Sequence, residues 1–113
     1  MKESEINIKV ILDDEKVPER IVWDADDKGG QGPEEAKAVS VALWDHKHLN
    51  TLRIDLWTKE MPVDEMKQFY IDSIGGLGQS LLNATGDDFM SNEIKQLCER
   101  LLKHVQEENE RGS

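Results

Sequence analysis

Hydrophobic and polar residues alternate in the first part of the chain. The segment EINIKVIL, residues 5–12, carries an aliphatic side chain at every second position from Ile6 to Leu12. A period of two is typical of a strand with one buried face. The turn-forming DDEKVPE and the β-branched, aromatic ERIVWDA follow, so we predict an antiparallel hairpin with strands over about 4–12 and 19–25.

The same alternation returns in AKAVSVALWD and TLRIDLW, which predict strands over about 36–46 and 51–58. If a tight turn joins these two strands in an antiparallel pair, their aliphatic rows can face one core. These rows are Val39, Val41, Leu43, Leu52, Ile54 and Leu56. Trp44 and Trp57 alternate out of the rows, so we predict that they share the opposite face with Arg53, Asp55 and His46.

After Met61 the hydrophobic period becomes helical. Pro62 suits the first helical position, and the spacing predicts helices over about 62–84 and 88–108, with 109–113 as a frayed tail. The first helix contains Gly75, Gly76 and Gly78, each of which costs about 1 kcal/mol relative to alanine. Two explanations stay open: close packing of the helix on the sheet, or a hinge or partner contact.

The order of these elements predicts an α+β fold in a single domain over 1–113. Its core is a four-stranded antiparallel sheet of two hairpins, followed by two C-terminal helices packed on one face. Between the hairpins, DADDKGGQGP predicts a loop.

Charge and composition exclude several classes of partner. The 24 acidic residues outnumber the 14 basic ones, and the net charge is −10, which repels nucleic acid and anionic lipid. The sequence has no apolar run of membrane-spanning length and no apolar leader segment, so direct membrane insertion is not expected. Cys98 is the single cysteine, which fits a reducing compartment. We therefore expect a cytoplasmic protein.

Two segments carry candidate metal ligands. Asp45, His46 and His48 offer a carboxylate and two imidazoles, but the same residues are typical of a polar turn. In residues 24–35, carboxylates and a glycine fall at calcium-loop positions, yet Lys28 stands where an oxygen ligand is required. Cys98 lies in an amphipathic stripe and is expected to pack. We predict no catalytic residue, no metal site, no cofactor and no enzymatic activity.

The tryptophan face of the second hairpin is the stronger candidate for function. Exposed surfaces rich in tryptophan and arginine often anchor protein partners. We therefore predict a protein-contact surface formed by Trp44, Trp57, Arg53, Asp55 and His46. The alternative is that the loop over 24–35 covers these side chains.

Nearly the whole chain resembles the gliding motility protein GldC family of small accessory proteins. The likeness lies in SEINIKVILDDEKVPERIVWDADD, in EEAKAVSVALWDHKHLNTLRIDLWTKEMPVDEMKQFYIDSI and in LLNATGDD. It implies a cytoplasmic role that supports the gliding machinery, with no agreed active-site residues. Expected partners are protein components of that machinery, a membrane lipoprotein among the candidates, and a second copy of the chain.

Four strands followed by two helices in an acidic chain also look like the element order of the SecB export chaperone. This is an analogy of fold, and fold does not determine function. It suggests an alternative function, a holdase that binds unfolded, exported components of the same machinery.

Overall fold

The structure is a computed structural model that describes residues 2–30 and 32–112. Five strands precede two helices, which confirms the α+β class. The strands are β1 (Ile6–Leu12), β2 (Pro18–Ala25), β3 (Glu34–Ala36), β4 (Ala38–Trp44) and β5 (Thr51–Trp57), and the helices are α1 (Val63–Thr85) and α2 (Asp88–Gly112). The chain divides into two compact units, residues 1–61 with the strands and residues 62–113 with the helices. The single domain and the packing of the helices on the sheet stay predictions.

The strand unit contains two antiparallel sheets where one four-stranded sheet was predicted. β1, β2 and β3 form one sheet in that order, and β4 and β5 form the other. The third predicted strand, over about 36–46, starts earlier, at Glu34, and is divided at Lys37, because Glu34–Ala36 pairs with β2 and Ala38–Trp44 pairs with β5. A bend that moves a strand from one sheet to the next is a common way of making such a corner.

Lys59 connects the two sheets at this corner. Its backbone N–H donates to the carbonyl oxygen of Pro18 at 3.1 Å, and its ammonium lies 2.8 Å from a carboxylate oxygen of Asp13. Asp13 also accepts hydrogen bonds from the backbone N–H groups of Glu15 and Val17. These donors, Lys59 first, lower the pKa of Asp13 to about 2. The turn between β1 and β2 is therefore held to the segment that follows β5.

The two helices form a hairpin whose close approach explains one of the glycines. A Cβ atom on Gly78 would lie 2.7 Å from Cγ2 of Ile94 and 3.2 Å from its Cβ, whereas Gly76 has open space around that position. Gly78 thus faces α2, which is its closely packed neighbour. Gly86 ends α1 in the left-handed conformation, and its N–H donates to the carbonyl of Leu82 at 2.8 Å.

Residues of the predicted frayed tail continue the second helix. α2 reaches Gly112, so residues 109–112 are helical, while Ser113 lies outside the described residues. The side chain of Asp87 accepts a hydrogen bond from the N–H of Met90 at 3.0 Å, which caps the start of this helix. In the described residues no helix is both long and apolar enough to cross a membrane.

Gly78 and Gly76 give a matched pair of tests. We expect Gly78→Ala to lower the free energy of unfolding by about 1–2 kcal/mol, because the new methyl group collides with Cβ and Cγ2 of Ile94. Gly76→Ala should raise it by about 1 kcal/mol, since alanine is the better helix former and meets no neighbour. Urea unfolding followed by circular dichroism measures both. Equal effects of the two substitutions would show that α2 does not pack on Gly78.

The pair of Asp13 and Lys59 predicts how stability depends on acid. Because the pKa of Asp13 is lowered from 3.8 to about 2 in the folded chain, its carboxylate contributes stability that is complete above about pH 4 and is lost toward pH 2. We expect Asp13→Asn to flatten the loss of stability over this window. The measurement is urea unfolding at a series of pH values, and Asp14→Asn in the same turn is the control.

Candidate protein-contact surface

The pairing of β4 with β5 sorts their side chains onto two faces. Directly opposite residues of an antiparallel pair lie on the same face. One face carries the pairs Val39 with Leu56, Val41 with Ile54, and Leu43 with Leu52. The other face, which we call the tryptophan face, carries Ala38 with Trp57, Ser40 with Asp55, Ala42 with Arg53, and Trp44 with Thr51. The structure therefore brings four of the five predicted contact residues onto one face.

The two tryptophans stand at opposite ends of this face. Trp44 lies beside Thr51, six positions before Trp57 on β5, so their backbones are about 20 Å apart. The residue exposures of Trp44 and Trp57 are 67% and 47%. They are separate anchors, and each leaves a large aromatic area in water.

A polar cluster lies between the tryptophans. Arg53 donates from one guanidinium nitrogen to Asp55 and to the hydroxyl of Ser40, at 2.8 Å each, and Ser40 donates to Asp55 at 2.5 Å. The hydrogen bonds from Arg53 and then from Ser40 lower the pKa of Asp55. The cluster fixes the orientation of the guanidinium. Ser40 was not predicted as a member, although the hairpin register places it opposite Asp55.

The aliphatic face of β4 and β5 is also largely open. Leu43, Leu52 and Ile54 are 56%, 50% and 54% exposed, so the prediction that they build the core is wrong. The alternation of aliphatic and polar residues correctly predicted which side chains share a face. It contains no information about what covers that face. The β4–β5 ribbon thus presents apolar side chains on both sides.

His46 lies in the turn and outside the paired strands. The turn is organised by Asp45, whose N–H donates to Asn50 and whose carboxylate accepts from the N–H groups of Lys47 and His48. The imidazole Nδ1 of His48 lies 2.8 Å from the same carboxylate. These contacts, the N–H of His48 first, lower the pKa of Asp45. Leu49 completes the turn with a φ of 54°.

The acidic loop is held around a lysine. The ammonium of Lys28 contacts the carbonyl oxygen of Gly32, lies 3.4 Å from Glu34 and 3.7 Å from Asp24, and stands 5.4 Å from the ring centre of Trp23. Its side chain is only 6% exposed. Of the acidic residues at ligand positions of a calcium loop, Asp24 lies near this ammonium, whereas Asp26 accepts a hydrogen bond from the N–H of Glu5 and Glu35 accepts one from Arg20. Gln31 of this loop lies outside the described residues.

The loop that was the alternative cover for the tryptophan face contacts a different tryptophan. Lys28 lies over Trp23, which is partly buried on β2 and shares a face with Ile21. In residues 2–30 and 32–112, no group of three or more histidine, cysteine or acidic residues is placed to hold a metal ion. Cys98 is half-buried in the helix hairpin, where its Sγ lies 3.8 Å from the carbonyl oxygen of Ile71.

An apolar groove lies elsewhere in the strand unit. It has a volume of about 250 Å³ and follows the aliphatic face of the three-stranded sheet as far as β4. Its lining is entirely apolar and comprises Ile6, Ile8, Ile21, Trp23, Ala36, Ala38 and Val39. The alternation in the sequence predicted a buried face for Ile6 and Ile8 and a core-facing row for Val39, and no sequence signal grouped these residues with Ala36 and Ala38.

Comparison with known proteins identifies a family for the chain. A family model described as gliding motility-associated protein GldC-like matches residues 18–107, which include all of the β4–β5 ribbon. No curated protein matches the chain. No solved structure matches it either.

Proposed function

Since the chain belongs to the GldC-like family of gliding motility-associated proteins, we propose that it is a cytoplasmic accessory protein that binds protein components of the gliding machinery. The contact surface is the tryptophan face of β4 and β5, and a membrane lipoprotein is one candidate partner. The observation that supports this surface best is the exposure of Trp44 and Trp57 on either side of an ordered arginine.

The chemistry of the face suits a protein partner. Tryptophan and arginine are the residues that most often dominate binding energy in interfaces, where they fill desolvated pockets. The ion pair with Asp55 holds Arg53 in place before binding, which reduces the entropy lost on association. Two aromatic anchors about 20 Å apart match the width of a standard interface better than that of a small-molecule pocket.

The proposed role is non-enzymatic. A general acid or base works best with a pKa near the working pH. The carboxylates of Asp45 and Asp55 have lowered pKa values, which moves them away from neutrality, and both are engaged in hydrogen bonds. These carboxylates orient a turn and an arginine, which is a structural task.

Removing both anchors tests the contact surface. We expect Trp44→Ala combined with Trp57→Ala to weaken binding of a purified motility component at least about tenfold, because each truncation removes a large buried aromatic area. The component is first identified by co-purification from the native host, and affinity is then measured by calorimetry. Leu49→Ala is the matched control, since Leu49 is 67% exposed like Trp44 but lies in the turn. Unchanged affinity of the double variant, with an unchanged circular dichroism spectrum, would exclude this surface.

A second candidate function is a holdase for unfolded components of the same machinery. The open apolar groove beside Ile6 and Ile8 favours it, because an extended apolar segment could lie against these side chains. Ile6 is 76% exposed, so it is available to a client.

The holdase function is tested by aggregation of a chemically unfolded client without ATP. We expect the chain to suppress light scattering, and Ile6→Ser to lose most of that effect because it makes the groove polar. Leu12→Ser is the control, since Leu12 lies on the same strand outside the groove and is 49% exposed. No suppression by the wild-type chain, or equal suppression by both variants, would count against this function.

A further inference from the structure

β5 is an edge strand of the two-stranded sheet, and just past its end the N–H of Lys59 donates to the carbonyl oxygen of Pro18 on β2 at 3.1 Å. The described ladder pairs β5 with β4 alone. At the two ends of this ladder, the N–H of Asp45 donates to Asn50 and the N–H of Thr58 donates to Lys37. Since hydrogen-bonded pairs alternate along an antiparallel ladder, the even-numbered residues of β5 bond to β4. The backbone groups of its odd-numbered residues, among them Thr51, Asp55 and Trp57, therefore point outward.

An open cleft runs beside this outer edge. It has a volume of about 350 Å³, and Val17 and Pro18 line its far side. Asp55 and Leu56 line the near side, and because they lie on opposite faces of β5, the cleft follows the edge of the strand. The cleft separates the outer edge of β5 from the start of β2.

The sequence of β5 is complementary to itself when read in the opposite direction. We consider a second copy of LRIDL, residues 52–56, that lies antiparallel beside the first with Ile54 opposite Ile54. Arg53 of each copy then lies opposite Asp55 of the other, and Leu52 lies opposite Leu56. We propose that two copies of this chain pair through β5 in this register and form a homodimer with a continuous β4–β5–β5–β4 sheet.

The backbone and the charges select the same register. Pairs that exchange hydrogen bonds across the new edge must join outward-pointing residues, and Arg53 with Asp55 is such a pair. A shift to the next permitted register in one direction places Arg53 opposite Arg53, and the shift in the other direction places Asp55 opposite Asp55. Like charges directly opposite each other destabilise a sheet, so the centred register is favoured.

The dimer also gives each ribbon the support that it lacks. A two-stranded hairpin is marginally stable in water, whereas four strands provide a broad face. Pairing places a second row of leucine and isoleucine beside Leu52 and Ile54, which doubles the width of this apolar face. On the other face, Trp57 comes to lie beside Thr51 of the other copy, and Trp44 of that copy follows at about 10 Å, which is within reach of large side chains.

The other open edges lack this complementarity. β1 carries Lys9 at its centre, which is the kind of charge that protects an edge from pairing. β4 has no charged residue between Ala38 and Trp44, so nothing in it selects a register. β5 alone combines an apolar row with opposite charges at symmetric positions.

Mixing two charge variants tests the proposal. Arg53→Asp alone places two pairs of aspartates across the interface, and Asp55→Arg alone places two pairs of arginines there. We expect each variant to dimerise about tenfold or more weakly than wild type in sedimentation equilibrium. An equimolar mixture should recover wild-type affinity, because every cross-strand pair becomes Asp with Arg. The pair within each strand stays broken in the mixture, so a merely internal role of Arg53 and Asp55 predicts no recovery.

A cysteine cross-link tests the register without altering charge. In the Cys98→Ser background, Ile54→Cys should form a disulfide-linked dimer on mild oxidation, because opposite residues of a pair that is not hydrogen-bonded meet disulfide geometry. Val41→Cys, at the centre of β4, is the matched control and should remain monomeric under denaturing conditions. Cross-linking at position 41 instead of position 54 would overturn the proposal in favour of the β4 edge.

The oligomeric state of the wild-type chain gives the remaining outcome. We expect twice the mass of one chain in light scattering at micromolar concentrations. A monomer up to several hundred micromolar would overturn the proposal and leave the two charges as protection of an edge strand. Dimer formation and partner binding are tested by different variants. The Trp44→Ala and Trp57→Ala changes leave Arg53 and Asp55 in place, so one proposal can fail while the other holds.

Discussion

The turn from Asp45 to Asn50 fixes the register on which the β4–β5 ribbon depends. The Asp45 carboxylate holds the backbone of the turn, and the hydrogen bond to Asn50 closes the first pair of the ladder. A slip of one residue would move every side chain of one strand to the other face. This turn therefore decides that Arg53 and Asp55 meet Ser40 of the neighbouring strand, and that both tryptophans share one side.

A ribbon with this register has more apolar surface than it can bury by itself. Leu52 and Ile54 are half exposed on one face, and Trp44 is two-thirds exposed on the other. Covering both faces and an open edge takes additional layers. A gliding motility-associated protein can obtain such layers from partners, and the proposed dimer would supply one of them, which connects the exposed apolar surface of the fold to the proposed role in binding.

Lysine residues organise the acidic remainder of the strand unit. The chain carries a net charge of −10, and uncompensated carboxylates in a small unit repel one another. Lys59 joins Asp13 and Glu19 at the corner of the two sheets, and Lys28 gathers the carboxylates of the loop against Trp23. The ammonium of Lys59 bridges segments that are far apart in the chain, whereas that of Lys28 joins residues of one loop, so the two stabilise the arrangement of turns as well as balance charge.

Periodicity in the sequence determined the α+β class, the order of strands and helices, and the sorting of Trp44 and Trp57 away from the aliphatic rows. Each of these follows from local backbone geometry, since a strand repeats every two residues and a helix every 3.6. Only the tertiary structure decided that the strand ending at Trp44 bends at Lys37, that Gly78 faces Ile94, and that the aliphatic face of the ribbon stays exposed. The neighbours that bend a strand or cover a face come from distant parts of the chain, and a local repeat contains no information about them.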